Sequence, residues 1–254
     1  MSNITDRHQH ILTKLKKEGS VSVLDLCAAL GVSSVTIRKD LKLLEDKNLL
    51  YRTHGGGTIT NPYTVDRPVN EKASIHSAEK TNIGAAAASL IEPNDCILIA
   101  SGTTVVSFAK HLQPKGQLTV ITSALNVATE LLLRSDIEVI QLPGLIRKSS
   151  SSVTGSYAEQ MLADFSFSKI FLGVDGIDAE FGLTTTNMME AQLNKKMIAA
   201  AQKTVVLADS SKFGKRGFGR ICGLEDIEQI ITDKNISDHM AETLKGLGTE
   251  VTIV

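Results

Sequence analysis

Four residues in a row, Ser101-Gly102-Thr103-Thr104, directly follow the apolar run Cys96–Ala100. A glycine there lets the backbone approach a ligand closely. The hydroxyls and the amides of a following helix N-terminus can together cradle a phosphate. Polar groups stand at the ends of other apolar runs as well. Ser123 follows Leu118–Thr122, with Asn126 three residues on; Asp175 follows Lys169–Val174; and Asp209-Ser210-Ser211-Lys212 follows Thr204–Ala208. Lys212 is placed to balance the charge of the same phosphate. The segment Gly182–Asn187 precedes a helical stretch containing Glu190.

Taken singly, each has a plainer reading. Ser101–Thr104 is a helix cap, Asp175 and Asp209 are turn or cap residues, Lys212 is solvated, and Glu190 sits on an exposed helix face. Taken together, they sit where ligands of parallel sheets bind, beyond the strand C-termini. The expected ligand is a phosphorylated small molecule, held by Ser101, Gly102, Thr103, Thr104, Ser123, Asn126, Asp175 and Lys212. No GxGxxG follows a strand, so a dinucleotide site is not indicated. The glycines of Gly214–Arg220 follow no strand–helix junction and read as a mobile loop.

The elements that must position these groups alternate. Helical patterns at Ala78–Leu90, after Ser101 through Ala109, and at Asn126–Arg134 separate near-continuous β-branched runs at Cys96–Ala100, Leu118–Thr122 and Ile137–Leu142. Lys169–Val174, Thr204–Ala208, Gln229–Thr232 and Glu250–Val254 are further strands. This predicts an α/β fold, a parallel sheet covered on both faces. Ser149–Ser152 reads as a loop. Thr60–Ser74, polar with two prolines, reads as a linker. The expected organisation is a domain over 1–60, a linker over 61–75 and an α/β ligand-binding domain over 76–254.

The first 60 residues carry a different chemistry. Ser22, with Asp25 three positions later, starts a helix, and Gly31 stands where a left-handed C-terminal residue is wanted. Ser33 caps a second helix whose Ile37, Leu41 and Leu44 share one face. Ser34, Val35, Thr36, Arg38 and Lys39 lie near its N-terminus, with Lys42 beyond. That is a helix-turn-helix whose second helix suits the DNA major groove. Leu49–His54 alternates like a strand, and Gly55–Gly57 can turn a hairpin. This makes a wing that aims Arg52 and His54 at backbone phosphates. The DNA-contacting set is Ser33, Ser34, Val35, Thr36, Arg38, Lys39, Lys42, Arg52 and His54. A helical bundle with merely solvated charges is the blander reading; the capped turn, basic second helix and wing argue against it.

The bulk numbers agree. The chain has 254 residues, 42% of them hydrophobic, and a net charge of −1. Residues 1–60 hold nine Lys/Arg against six Asp/Glu, the rest eighteen against twenty-two. The modest positive head predicts binding as a dimer or higher oligomer. Cys27, Cys96 and Cys222 are isolated, with no CxxC, so neither a zinc site nor a disulfide framework is indicated. No catalytic residue, cofactor or metal is expected. The N-terminus lacks an apolar signal region and no run approaches the ~20 apolar residues of a membrane span. The expected location is cytoplasmic.

These motifs, in order, resemble those of the DeoR family of bacterial sugar-responsive transcriptional regulators. The resemblance is carried by SVLDLCAALGVSSVTIRKDLKLLE, RTHGGG, SGTT, FLGVDGID, GLTTTN, EA and LADSSKFG. It implies a winged helix-turn-helix joined to a sensor similar to ribose-phosphate and glucosamine-phosphate isomerases. Ser101–Thr104 would hold the effector phosphate, and Asp175 and Lys212 would sit where the isomerases keep active-site polar groups. The chain departs from the family pattern at Ser123-Ala124 and at Leu145. Where the isomerases carry an acid after their Gly-x-Asp, this chain has Gly176. The implied function is a DNA-binding repressor of a sugar or polyol utilisation operon, relieved by a phosphorylated sugar. The competing reading is a sugar-phosphate isomerase with a regulatory DNA-binding head, for which Glu190 and Asp175 are the candidate proton carriers.

Overall fold

The computed structural model describes residues 3–47, 49–53, 55–59 and 66–254. Two compact units, Met1–Val65 and Asp66–Val254, divide the chain. In the first, helices α1 (Ile4–Glu18), α2 (Val23–Leu30) and α3 (Ser34–Asp46) pack around Ile11, Leu15, Leu26, Ile37, Leu41 and Leu44, all essentially inaccessible. The caps are the expected ones. Ser22 Oγ accepts from Asp25 N at 3.0 Å, Gly31 takes a left-handed φ of 62°, and Ser33 Oγ accepts from Thr36 N at 3.3 Å.

The wing is built differently from expectation. A strand β1 (Ser20–Ser22) was hidden by the reading of Ser22 as a cap, and it serves as both. It pairs with β3 (Gly56–Thr58), which pairs with β2 (Tyr51–Thr53), giving the antiparallel order β1-β3-β2. Thr53 lies opposite Gly56, so Gly56 and Gly57 are strand residues rather than hairpin turn. A Cβ on Gly56 would fall 1.7 Å from the Val21 carbonyl oxygen. The glycine is needed because β1 lies against it, not because the chain turns there.

The second unit begins earlier than the expected 61–75 linker allows. From Asp66 the chain already packs on it, and a short helix α4 (Val69–Ala73) buries Val69. The reason is polar. Val69 N donates to Ser149 O at 2.6 Å, and Lys72 pairs with Asp175 at 2.8 Å. There follow α5 (Ser77–Ala88), β4 (Cys96–Ile99), α6 (Thr103–His111), β5 (Leu118–Thr122), α7 (Leu125–Leu131) and β6 (Ile137–Gln141). The loop expected at the serines is the turn of a hairpin: Ser149–Ser151 lie between β7 (Leu145–Arg147) and β8 (Ser152–Thr154), and only Ser152 enters a strand. Next come α8 (Ser156–Leu162), β9 (Lys169–Gly173), β10 (Gly176–Asp178), β11 (Gly182–Thr185), α9 (Met188–Ala199), β12 (Thr204–Leu207), β13 (Gly219–Cys222), β14 (Gln229–Thr232), α10 (Asp238–Gly246) and β15 (Glu250–Ile253). The segment Gly214–Arg220, expected to be a mobile loop, enters β13. There it pairs with β11 in a small sheet ordered β10-β11-β13.

Seven strands form one parallel sheet in the order β15-β14-β12-β9-β4-β5-β6. Successive residues serve opposite faces. Ile97 and Ile99 join Ile83, Val105 and Phe108 on the side of α5, α6 and α7, while Leu98 joins Leu162, Leu193 and Met197 on the side of α8 and α9. Phe108 stacks on Phe171 with ring centroids 4.2 Å apart. Both faces are therefore apolar, which is why the strands read as unbroken hydrophobic runs.

Candidate functional site

The sheet order places a ligand crevice. From β4 the chain proceeds outward through β5 to β6, then returns to the other side of β4 as β9 and continues outward through β12, β14 and β15. The direction reverses between β4 and β9, so the loops after these two strands part at their C-terminal ends and leave a crevice. A cleft of about 590 Å³, counting its open mouth, lies there.

Six of the eight residues expected to bind the ligand line this cleft: Ser101, Gly102, Thr103, Thr104, Asp175 and Lys212. Ser123 and Asn126 do not. The β7–β8 hairpin covers the end of β5, with Val153 N donating to Ser123 O at 2.8 Å and Leu125 N to Ser151 O at 2.8 Å. Ser123 is buried beneath it, and Asn126 faces a separate shallow depression beside Thr129 and Leu133.

Gly102 holds φ 136° and ψ 161°, a conformation open in practice only to glycine, and no side chain caps the helix that follows. The first amides of α6 are therefore left without intrahelical partners and face the cleft, at the positive end of the helix. Opposite them stands a set of charges that are nearly all engaged. Arg147 on β7 reaches two carboxylates, Glu190 at 2.7 Å and Asp66 at 2.5 Å. Glu190 also accepts from Ser101 Oγ at 2.5 Å, and Thr185 Oγ1 lies 3.3 Å from it. Lys72 pairs with Asp175, which Thr185 Oγ1 also approaches at 3.0 Å. Burial pushes the Asp175 carboxyl up, but Lys72, Lys212 and the Thr185 hydroxyl outweigh it and hold the group below the usual carboxylate range. Asp66 is likewise held down, against burial, by Ser149 and Arg147. Among the described residues no hydrogen bond or ion pair engages the Lys212 ammonium, which lines the cleft and acts on Asp175 through its charge.

Sequence reasoning missed Arg147, Asp66, Lys72 and Ser149, which come from segments read as loop and linker. It also placed Glu190 on an exposed face. Glu190 is buried at the first turn of α9, where Asn187 Oδ1 caps Met189 N and Glu190 N. Gly176 closes the question of a missing acid. A Cβ there would lie 2.4 Å from the Lys215 carbonyl oxygen and 2.7 Å from Thr184 Oγ1, so no side chain fits.

On the first unit, α3 turns Ile37, Asp40, Leu41 and Leu44 inward. Arg38, Lys39 and Lys42 are exposed, and Val35 is 58% exposed. Ser34 and Thr36 are half-buried on the same first turn, and the Ser33 and Thr36 hydroxyls lie 3.0 Å apart. Asp40 anchors the helix from behind, paired with Arg7 at 2.8 Å and with His8 at 3.2 Å on α1. Arg52 of the wing is 40% exposed, with Glu45 at 3.9 Å. His54 lies outside the described residues. Among the described residues no cluster of metal-ligating side chains is found, and no helix is long and apolar enough to cross a membrane.

Residues 7–62 match the DeoR-like helix-turn-helix domain, and residues 75–234 match the DeoR C terminal sensor domain. The chain belongs to the DeoR family. A protein of Escherichia coli O157:H7 assigned as the aga operon transcriptional repressor is 36% identical over 100% of this chain and 95% of its own length. The transcriptional repressor GlcR of Bacillus subtilis is 32% identical over 96% and 93%. A ribose 5-phosphate isomerase A from Methanocaldococcus jannaschii aligns over 54% of this chain and 55% of its own at a TM-score of 0.40 and 16% identity, a likeness too distant to carry chemistry across. This DeoR-family chain is a DNA-binding transcriptional regulator with a small-molecule sensor, and not an enzyme.

Proposed function

We propose that this DeoR-family protein represses a sugar or polyol utilisation operon and is released from it by a phosphorylated sugar. The observation that carries the reading is the uncapped first turn of α6, entered through Gly102 at the sheet's reversal point, with the unengaged Lys212 beside it. Backbone amides, a helix N-terminus and a lysine suit a phosphate dianion. The carboxylates and hydroxyls across the cleft suit the hydroxyls of a sugar.

The α3 helix enters the major groove with Ser33, Ser34, Val35, Thr36 and Arg38 toward base edges. Lys39, Lys42 and the wing residues Arg52 and His54 hold phosphates. The small positive charge of this unit favours a homo-oligomer, dimer or tetramer, with two heads on two half-sites of a double-stranded operator in the cytoplasm. The relatives' names as transcriptional repressors support the direction of control.

The test is thermal unfolding against paired phosphorylated and unphosphorylated sugars. A ligand at 100 times its Kd stabilises by about 2.7 kcal/mol. One phosphorylated sugar should raise the melting temperature and release operator DNA in a mobility-shift titration, while its unphosphorylated form does neither. Equal stabilisation by both forms would sink the phosphate assignment.

A further inference from the structure

The cleft's charged groups form a chain that ends on the first residue of the sensor unit. Ser101 Oγ donates to Glu190 Oε1 at 2.5 Å. Arg147 donates one arm to Glu190 Oε2 at 2.7 Å and the other to Asp66 Oδ2 at 2.5 Å. Asp66 stands where the second unit begins, and in sequence it follows directly on the residues leading out of the DNA-reading unit. We propose that Ser101, Glu190, Arg147 and Asp66 form a relay through which an anion at the first turn of α6 frees the strap Asp66–Ala73. The proposal rests on the reading of that turn as a phosphate site and adds how occupancy leaves it.

The physical argument lies in the arginine fork. In the empty cleft Arg147 bridges, one arm to each carboxylate. Glu190 accepts this because Ser101 satisfies its other oxygen. A phosphate at Ser101–Thr104 takes the Ser101 hydroxyl for itself. Glu190 Oε1, buried, then lacks a donor, which is a costly state for a carboxylate. Arg147 can cure it by turning its second arm from Asp66 to Glu190, because two parallel N–H bonds to one carboxylate are the arrangement its planar fork favours. Asp66 loses its arginine and keeps two hydroxyl partners, Ser149 at 2.6 Å and Thr186 at 3.3 Å, with the Lys72 charge acting from farther off.

The strap's far end stays fixed. The Lys80 ammonium donates to the carbonyls of Lys72 and Ile75 at 2.6 Å each, and Lys72 holds Asp175. Release is thus confined to the Asp66 end, where the Val69 amide bonds to Ser149 O. That amide reports the state of the strap.

The experiment is hydrogen exchange on the full-length protein with and without inorganic phosphate, read on peptides covering 66–75 and 101–108. Phosphate should slow exchange at residues 103–105 and speed it at Val69 at least tenfold. Ser101→Ala, which removes the donor to Glu190, should speed Val69 without phosphate. Asp66→Asn should do the same and leave phosphate with no further effect there. If phosphate slows 103–105 while Val69 is unchanged, the relay is overturned and the anion site stands. If phosphate changes exchange at neither place, both fall. A Ser101→Ala protein with wild-type exchange at Val69 overturns the relay whatever phosphate does.

Discussion

Replacing Gly102 by alanine should abolish effector binding while leaving the fold intact, and a second glycine supplies the control. Gly102 holds φ 136° and ψ 161° at the entry to α6; Gly155 holds φ 112° and ψ 175° at the entry to α8. Both conformations belong to the region that side chains avoid, at about 1–3 kcal/mol each. Neither position is crowded. A Cβ at 102 would first meet Gly173 Cα at 3.6 Å, and one at 155 would meet nothing within 4 Å. The two substitutions should therefore cost similar stability, about 1–3 kcal/mol. For a unit of this size that lowers Tm by roughly 2–12 °C. Only Gly102→Ala turns the α6 amides away from the cleft as the backbone relaxes. The assay is thermal unfolding of each variant with and without the inducing sugar phosphate. The wild type and Gly155→Ala should gain the same increment from ligand, and Gly102→Ala none. If Gly102→Ala keeps the full increment, the amides of α6 do not hold the phosphate. If Gly155→Ala loses it too, the loss is global rather than local.

Arg38→Ala should lose about 1–3 kcal/mol of affinity for operator over random DNA, and Lys39→Ala should weaken both alike; mobility-shift titrations at fixed salt decide, and an unaffected Arg38 variant removes α3's outer face from the bases. Lys212→Ala should bind operator normally yet resist induction in a reporter strain, and normal induction would take Lys212 out of the effector site. Burial, with Lys212 and Lys72 nearby, pushes the Lys80 ammonium down to about 8 against the pull of Asp209 and Glu79. A lysine with a lowered folded pKa binds fewer protons folded than unfolded between about pH 8 and its unfolded value, so its contribution to stability rises with pH across that window. The wild type should gain up to about 3 kcal/mol there relative to Lys80→Met, measured by denaturant unfolding; parallel pH profiles would contradict it.

The parts of this architecture that were legible in the sequence are those fixed by near neighbours. Ser22, Gly31 and Ser33 announce the helix-turn-helix because a cap acts within four residues. The five inner sheet strands are visible because burial on both faces leaves near-continuous apolar runs, while the edge strands β6 and β15 are partly exposed. The rule that ligands sit beyond strand ends leads to Ser101–Thr104, Asp175 and Lys212, which line the cleft. The same rule names Ser123 and Asn126, which do not line the cleft, because it cannot tell which strand pair flanks the reversal or that a hairpin covers the end of β5. Arg147 and Asp66 were out of reach for another reason. They are 81 residues apart, each in a segment with no periodicity, and only the folded sheet brings them together. Gly56 was read as a turn because the strand that excludes its side chain, β1, was itself unseen.

The paired charges of the cleft set how the regulator responds to its metabolite. All three carboxylates facing the cavity already have cationic partners at close range. Under the proposed reading, the phosphate gains the α6 amides and Lys212 outright, while the sugar hydroxyls must exchange ready-made carboxylate bonds for their own. The net free energy is thus reduced by what the internal pairs already hold, and the affinity of the site is lower than its contact list alone would give. The response threshold can then drift in evolution without touching any atom that meets the sugar. A change that strengthens the internal pairs raises the concentration needed for induction, and one that weakens them lowers it.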